Sequence, residues 1–262
     1  MKYLYRIYQL IIALPLGLIA TLITAIVTVV GCSVGKGHFW GYYPGHLWGR
    51  FIITVLLLPV KVEGRHLIEK KQSYVFVANH QGSFDIFLIY GYLNRNFKWM
   101  MKQSLRKIPF VGWACAKSKQ IFVDKSGASR IKKTYEDARR TLQGGTSVTV
   151  FPEGARTYTG EMGSFKKGAF ALADELQLPI VPITINGSFE VLPRAKGYVN
   201  IVNWHPLTLT IHPAIVPPPA SEDAAQNTEA ERAMMQQAYD IINGSLRTQP
   251  KELPAGSYNP ED

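Results

Sequence analysis

Tyr74-Val75-Phe76-Val77-Ala78-Asn79-His80-Gln81-Gly82-Ser83-Phe84-Asp85 switches period in its middle. Tyr74–Ala78 is a β-branched and aromatic run of strand length. Gly82 supplies a turn, and Ser83 is a residue type that caps helices ahead of the apolar segment Phe84–Leu93. The stretch therefore reads as strand, turn, helix, with His80 and Asp85 on either side of the junction. Five positions separate the pair, about 140° around one continuous helix, so only the broken path brings them together. With Asp85 in the first helical turn, its carboxylate faces back toward the imidazole. Such a pair suits general-base work: the imidazole takes a proton from a hydroxyl, and the carboxylate fixes the tautomer and stabilises the imidazolium. Ser83 lacks the Gly-x-Ser-x-Gly surroundings of a nucleophilic serine, so the hydroxyl is expected to come from a substrate.

The same alternation continues outward from this unit. Gln120–Asp124, Ser147–Phe151, Ile180–Ile185 and Leu207–His212 read as further strands, and Ala128–Leu142 and Lys167–Glu175 as helices. Short strands alternating with helices predict an α/β domain with a mixed, largely central β-sheet flanked by helices. It is expected to occupy residues 62–216, closed by Pro217–Pro219. In residues 217–262, Ala230, Ala233, Met234, Ala238, Ile241 and Ile242 mark an amphipathic helix with acids in its first turn, before a polar tail from Thr248.

Residues 1–61 differ in kind. Between Arg6 and Lys36 lie 29 residues without a charge, against roughly 20 needed to cross a bilayer. Such a run is too long for a signal-peptide core. Trp40, Tyr42, Tyr43 and Trp48, types that sit at the headgroup level, lead into a second apolar stretch ending at Val60. The two stretches predict an N-terminal hydrophobic helical hairpin that attaches the chain to a membrane bilayer, crossing twice or dipping into one leaflet. Lys2 and Arg6 favour the cytoplasmic face of an inner membrane for its ends and for the domain that follows.

The net charge of +10 is segregated. Lys98–Arg140 holds twelve Lys/Arg against three acids, whereas Pro217 to the end holds three against eight. The basic block points to an anionic partner. Ile131, Tyr135, Ala138 and Leu142 at helical spacing place Lys132, Lys133, Arg139 and Arg140 on the solvent side of one helix. No nucleic-acid recognition motif accompanies the charge, so nucleic acid is not expected as a partner. Two cysteines, Cys32 and Cys115, make neither a disulfide framework nor a metal cluster; both read as small buried apolar residues. No metal site is expected.

A second candidate stretch is Phe151-Pro152-Glu153-Gly154-Ala155-Arg156-Thr157, at the end of the Ser147–Phe151 strand. Gly154 permits close approach of backbone to a ligand. Arg156 offers a planar fork for phosphate, and Glu153 could orient that Arg or hold a hydroxyl.

With both motifs in this order, the chain resembles the glycerolipid acyltransferases, in particular the 1-acylglycerol-3-phosphate acyltransferases. Asn79, His80 and Asp85 match the family's Asn-His-x4-Asp. Phe151–Arg156 match Phe-Pro-Glu-Gly-Thr-Arg, with Ala155 in place of Thr. Leu178–Ile183 match an apolar stretch with two prolines, and Ile121–Lys125 match a motif that usually ends in Arg. Lys102 to Trp113 is close to the segment Lys-x2-Leu…Pro-x2-Gly-Trp. The likeness covers roughly residues 60 to 215. It implies direct acyl transfer from acyl carrier protein or coenzyme A to the sn-2 hydroxyl of lysophosphatidate, forming phosphatidic acid without a further cofactor. It also implies His80 as base and Asp85 as its partner. Glu153, Gly154 and Arg156 would bind the acceptor's glycerol phosphate, with Lys102, Lys125 and Arg130 adding positive charge. Gln81 disfavours glycerol 3-phosphate as acceptor, since enzymes using it tend to carry Arg at that place. Other lysophospholipids or acylated amino-acid lipids are alternative acceptors. A non-catalytic membrane protein that binds anionic lipid is the alternative from another class.

Overall fold

Val75 and Val77 point to one apolar layer, Phe76 and Ala78 to another, as the two-residue period of a strand requires. A strand buried on both sides must lie inside a sheet covered on both faces. The computed structural model, which describes residues 2–123, 128–142, 145–194 and 201–247, has this form. Its strands are β1 (Val60–Glu63), β2 (Val75–Ala78), β3 (Phe97–Lys102), β4 (Ile121–Val123), β5 (Ser147–Val150), β6 (Ile180–Asn186) and β7 (Leu207–Ile211). They form a seven-stranded sheet in the order β1-β7-β6-β2-β5-β3-β4. β6, β2, β5, β3 and β4 run parallel, whereas β7 is antiparallel to β6 and parallel to β1. The sheet is thus mixed, as expected. β1 and β3 are strands in addition to those read from the sequence, and β1 straddles the boundary expected between residues 61 and 62.

The N-terminal segment builds α1 (Lys2–Tyr8), a π-helical turn over Gln9–Ala13, α2 (Leu14–Val34), α3 (Gly37–Trp40) and α4 (Tyr43–Val55). Pro15 lies in the first turn of α2 and has no N–H to give the preceding turn, which accounts for the irregular hydrogen bonding just before it. α4 runs back along the first helices: the Tyr5 and Tyr8 hydroxyls donate to the Leu56 and Val55 carbonyls, and Trp48 Nε1 donates to Thr21 Oγ1. The pair is a hairpin in shape, but its arms differ. Tyr3–Val34 is one helix long and apolar enough to cross a membrane, and most of its large apolar side chains are exposed. α4 has 13 residues, about 20 Å at 1.5 Å per residue, short of the roughly 30 Å of a bilayer core. Ile52 and Ile53 of α4 are buried in the layer on the Phe76 face of the sheet. Among the described residues only the first arm is long and apolar enough to cross a bilayer.

That same layer holds Leu88 and Ile89 of α5 (Phe84–Tyr92). Further along, α6 (Val111–Lys117) packs beside α2. The opposite layer is formed by α7 (Ala128–Thr141), α8 (Gly168–Leu176) and α10 (Ala224–Gly244), through Ala138, Phe170, Leu172, Met234, Ala238 and Ile242. A short helix, α9 (Ser188–Val191), follows β6. The acids expected in the first turn of the last helix lie just before it: Asp223 is the N-cap and accepts from Ala225 N at 2.8 Å. Cys32 and Cys115 are free and half-buried rather than buried. The polar tail from Thr248 lies outside the described residues.

Candidate active site

β2 and β5 are parallel neighbours, so the residues that follow them emerge on the same edge of the sheet. In open α/β sheets this carboxyl edge is where ligands bind. The sequence that leaves β2 is Asn79 to Asp85, and the sequence that leaves β5 is Phe151 to Thr157.

Asn79 is fully buried, and its side chain continues the sheet after the strand ends. Its Nδ2 donates to the Ile185 carbonyl at 2.9 Å, and its Oδ1 accepts from Ile185 N at 2.7 Å. The amide substitutes for one rung of the β2–β6 ladder while the backbone turns away. His80 then stands at the rim. Its Nδ1 lies 2.8 Å from Asp85 Oδ2, with the Asp85 side chain wholly buried and the imidazole 15% exposed. An ionised carboxylate only accepts, so Nδ1 carries the hydrogen and the Nε2 lone pair is left for another proton. The ring lies flat on Phe151, with centroids 3.9 Å apart and planes within 6°. Asp85 Oδ2 also accepts from Gln81 N (2.8 Å) and Gly82 N (3.0 Å). The carboxylate is held by the very turn that carries the histidine.

That turn needs glycine at position 82. A Cβ there would lie 2.4 Å from Ser188 Oγ and 2.5 Å from the Ser188 carbonyl oxygen, where Gly82 bridges to Pro193. Ser83 occupies the N-cap position of α5, but its hydroxyl makes no cap bond. It accepts instead from Arg156 Nη1, joining the two motifs. Gln81 is buried and its Nε2 donates to the Gly160 carbonyl at 2.7 Å, pinning the loop beyond the second motif.

Glu153 does not face Arg156. Its Oε1 accepts from His80 N (2.6 Å) and its Oε2 from Gly163 N (2.8 Å), so the carboxyl clamps two loops through their backbones. Burial pushes its pKa up to about 7, against the two N–H bonds, which pull it down; the nearby Asp85 raises it further. Thr157 N donates to the His80 carbonyl at 3.1 Å, a second tie between the loops. Gly154 has φ +78, a left-handed conformation that favours glycine, and a Cβ there would meet Lys166 Nζ at 2.8 Å. Arg156 is half-buried beside this turn. Its carbonyl accepts from Arg194, whose guanidinium also stacks 4.0 Å over the Tyr158 ring.

Lys102 is the exposed last residue of β3, three positions past Trp99, which pairs with Thr149 of β5. It therefore reaches the same carboxyl edge. Lys125 lies outside the described residues, and Arg130 is placed on α7 by its backbone alone. The structure thus joins His80, Asp85, Glu153 and Arg156 through hydrogen bonds, with Gly154 in the same loop and Lys102 along the rim. Phe151, Gln81, Ser83 and Arg194 were not read as site residues. Of these, Phe151, Gln81 and Ser83 stand inside the two motifs, and that placement was the available signal.

Residues 59–186 match the family described as Acyltransferase. The 1-acyl-sn-glycerol-3-phosphate acyltransferase of Saccharomyces cerevisiae is 30% identical over 211 residues, 76% of this chain and 66% of the yeast protein. A protein of the same name from Pseudomonas aeruginosa is 33% identical over 153 residues, covering 56% of this chain and 58% of its own. The chain spans two thirds or less of the length of the curated relatives it matches most strongly. The crystal structure of the 1-acyl-sn-glycerophosphate (LPA) acyltransferase from Thermotoga maritima superposes with a TM-score of 0.69 at 24% identity, covering 94% of this chain and 98% of that one, a likeness of fold. With the paired motifs on one edge of this sheet, the chain is similar over residues 59–186 to the acyltransferase family. Within that family its likeness is to the 1-acyl-sn-glycerol-3-phosphate acyltransferases.

Proposed function

We propose that the chain is a 1-acylglycerol-3-phosphate O-acyltransferase. It moves a fatty acyl group from a thioester, acyl-CoA or acyl carrier protein, to the sn-2 hydroxyl of lysophosphatidate and forms phosphatidic acid. The observation that carries this reading is the His80–Asp85 contact at 2.8 Å, with Nε2 free of any described partner and Arg156 tied to the adjacent Ser83. His80 Nε2 takes the proton of the acceptor hydroxyl as its oxygen attacks the thioester carbonyl. The imidazolium is stabilised by Asp85 and returns the proton to the departing thiolate. These steps are complete with the two substrates and the chain's own groups, and they require no covalent acyl-enzyme and no cofactor. Arg156, with Arg194 and Lys102 near the same rim, supplies charge for the acceptor phosphate. Glu153 acts by holding the loops together.

The exposed apolar helix Tyr3–Val34 supports attachment to a bilayer, from which a lysolipid acceptor comes. Lys2 and Arg6 at its start favour a cytoplasmic-facing domain on an inner membrane. Acyl transfer by purified protein in detergent, offered lysophosphatidate, glycerol 3-phosphate and lysophosphatidylcholine in turn, tests the reading. Turnover is expected with lysophosphatidate. Preference for another acceptor would redirect the substrate assignment, and no transfer to any acceptor would favour a lipid-binding protein without catalysis.

A further inference from the structure

Every residue from Lys102 to Val111 is exposed. These positions make a 3₁₀ turn, Gln103–Lys107, and the start of α6, just past the end of β3. The segment is built rather than slack. Gly112 N donates to the Ile108 carbonyl at 2.7 Å, and Ala114 N to the Phe110 carbonyl at 2.9 Å. A Cβ on Gly112 would overlap the Arg106 carbonyl oxygen, so the helix start closes tightly on the turn. This folded knob turns its apolar side chains outward: Leu105, Ile108, Phe110, Val111 and Trp113 are each 40–57% exposed. An exposed apolar patch of this kind marks an interaction surface.

Backbone strain singles out the same edge of the molecule. Of the six non-glycine residues with positive φ among those described, only Leu57 (+55) and Phe110 (+59) are large and apolar. A bulky side chain at such an angle is an outlier that its surroundings must sustain. Leu57 is 59% exposed and Phe110 47%, so burial within the chain does not offset the strain. β1 and β7 run against β2, and Val60 pairs with Leu207, so Leu57 and Trp204 precede their strands at the edge where β2 ends. Trp204 is also exposed, and its Nε1 donates to the Leu57 carbonyl at 2.8 Å. β3 stands two strands from β2 on one side and β1 three on the other, about 10 and 14 Å at 4.7–4.9 Å per step. The His80 edge thus lies between two exposed apolar rims.

Charge and continuity select the occupant. From Lys102 to Val123 the chain holds no acid, against Lys102, Arg106, Lys107, Lys117 and Lys119. Aromatic and aliphatic side chains ringed by long cations suit the zone where anionic headgroups meet hydrocarbon. α6 also packs beside α2, whose outward face is apolar, so the patch extends a surface already fit for lipid. An acidic protein would match the charge but would leave that continuity without a use.

We propose that residues 103–113, with Leu57 and Trp204 on the far rim, insert among lipid headgroups as a second bilayer contact besides Tyr3–Val34; the proposal rests on the membrane-attached acyltransferase reading and adds how the domain is seated. The test uses the full chain in vesicles of phosphatidylcholine and phosphatidylglycerol. An environment-sensitive fluorophore is placed on Phe110→Cys or, as the control ahead of α10, on Glu222→Cys, each with Cys32→Ala and Cys115→Ala. The label at 110 is expected to be quenched by spin-labelled acyl chains and shielded from aqueous iodide, and the label at 222 to behave oppositely. In native-cysteine protein, Phe110→Ser/Trp113→Ser should raise the KM for long-chain lysophosphatidate in vesicles about tenfold, as the seated population falls. Turnover of a short-chain, water-soluble lysophosphatidate and the Tm should match the parent. Equal iodide access at 110 and 222 would overturn the proposal, as would an unchanged vesicle KM. Shielding at 110 by an acidic carrier protein but not by vesicles would assign the face to a protein and overturn it too. Shielding by vesicles in a parent that transfers no acyl group would uphold the second contact and refute the acyl-transfer reading instead.

Discussion

Asp85→Asn removes one charge and almost no volume, so its effect follows from the contacts of a single oxygen. Oδ2 accepts from His80 Nδ1, Gln81 N and Gly82 N, while Oδ1 is buried and has no hydrogen-bond partner. The carbonyl oxygen of Asn can take the place of Oδ2 and keep all three donors. Its NH₂ then falls where Oδ1 was, and a buried donor left unsatisfied costs about 1–3 kcal/mol of stability. The two backbone bonds exist before and during the reaction, so they weigh on folding alone. The imidazole differs, because in the proposed reaction it becomes a cation as it takes the hydroxyl proton. A unit charge roughly 4 Å from the carboxylate interacts with it by about 4 kcal/mol at an effective dielectric near 20. At 1.36 kcal/mol per decade that is about a thousandfold in kcat. We expect Asp85→Asn to fold with a modestly lowered Tm, to lose kcat by 10²–10⁴-fold and to keep its acceptor KM. Initial rates at saturating substrates, beside thermal melts of both proteins, measure this. A folded variant with kcat within tenfold of the parent would refute the claim that a buried charge stabilises the imidazolium.

Gly82→Ala would push a methyl group to within 2.5 Å of the Ser188 backbone; overpacking of this kind costs about 1–3 kcal/mol. Both Tm and rate should fall, because the same residue's N–H holds Asp85, and a parent-like variant would show that the turn is not tight. Glu153 has a folded pKa of about 7, above its ordinary value of 4.5. Its contribution to stability is therefore full below about pH 4.5 and is lost as pH rises through about 7, a swing of roughly 3 kcal/mol. Glu153→Gln should flatten that part of the stability–pH curve, and denaturant titrations with equal slopes for parent and variant between pH 5 and 8 would contradict the assignment. Arg156→Ala should raise the lysophosphatidate KM more than it lowers kcat, with partial recovery in Arg156→Lys, since Lys keeps the charge but not the fork. An acceptor KM equal to that of the parent would remove Arg156 from phosphate binding.

The His80–Asp85 geometry was legible because it is local: a strand, a turn and the first turn of a helix are encoded within a dozen residues. Glu153 was not legible in the same way. Its partners are the backbones of His80 and Gly163, 73 and 10 positions away, and a carboxylate that binds amides looks the same in sequence as one that binds an arginine. Ser83 was placed at the helix start, but the distant Arg156 claims its hydroxyl. β3 was hidden by Lys98 and Lys102, which make it read as part of a basic block, although Lys98 is buried. α4 carries Ile52 and Ile53 toward the sheet and Leu47 and Phe51 outward. Hydrophobicity alone does not separate a face packed on protein from a face meant for lipid, so the second arm read as membrane hairpin when half of it is core.

Acyl transfer by His80→Ala is the most direct test of the account. In the proposed reaction the Nε2 of His80 takes the acceptor's proton, and the alanine variant keeps the backbone bonds to Glu153 and Thr157 that hold the loops. With lysophosphatidate and an acyl thioester at saturation, the variant should keep its fold and fall at least 10²-fold in kcat. Retention of the parent's rate by a folded His80→Ala protein would contradict the claim that this histidine is the base.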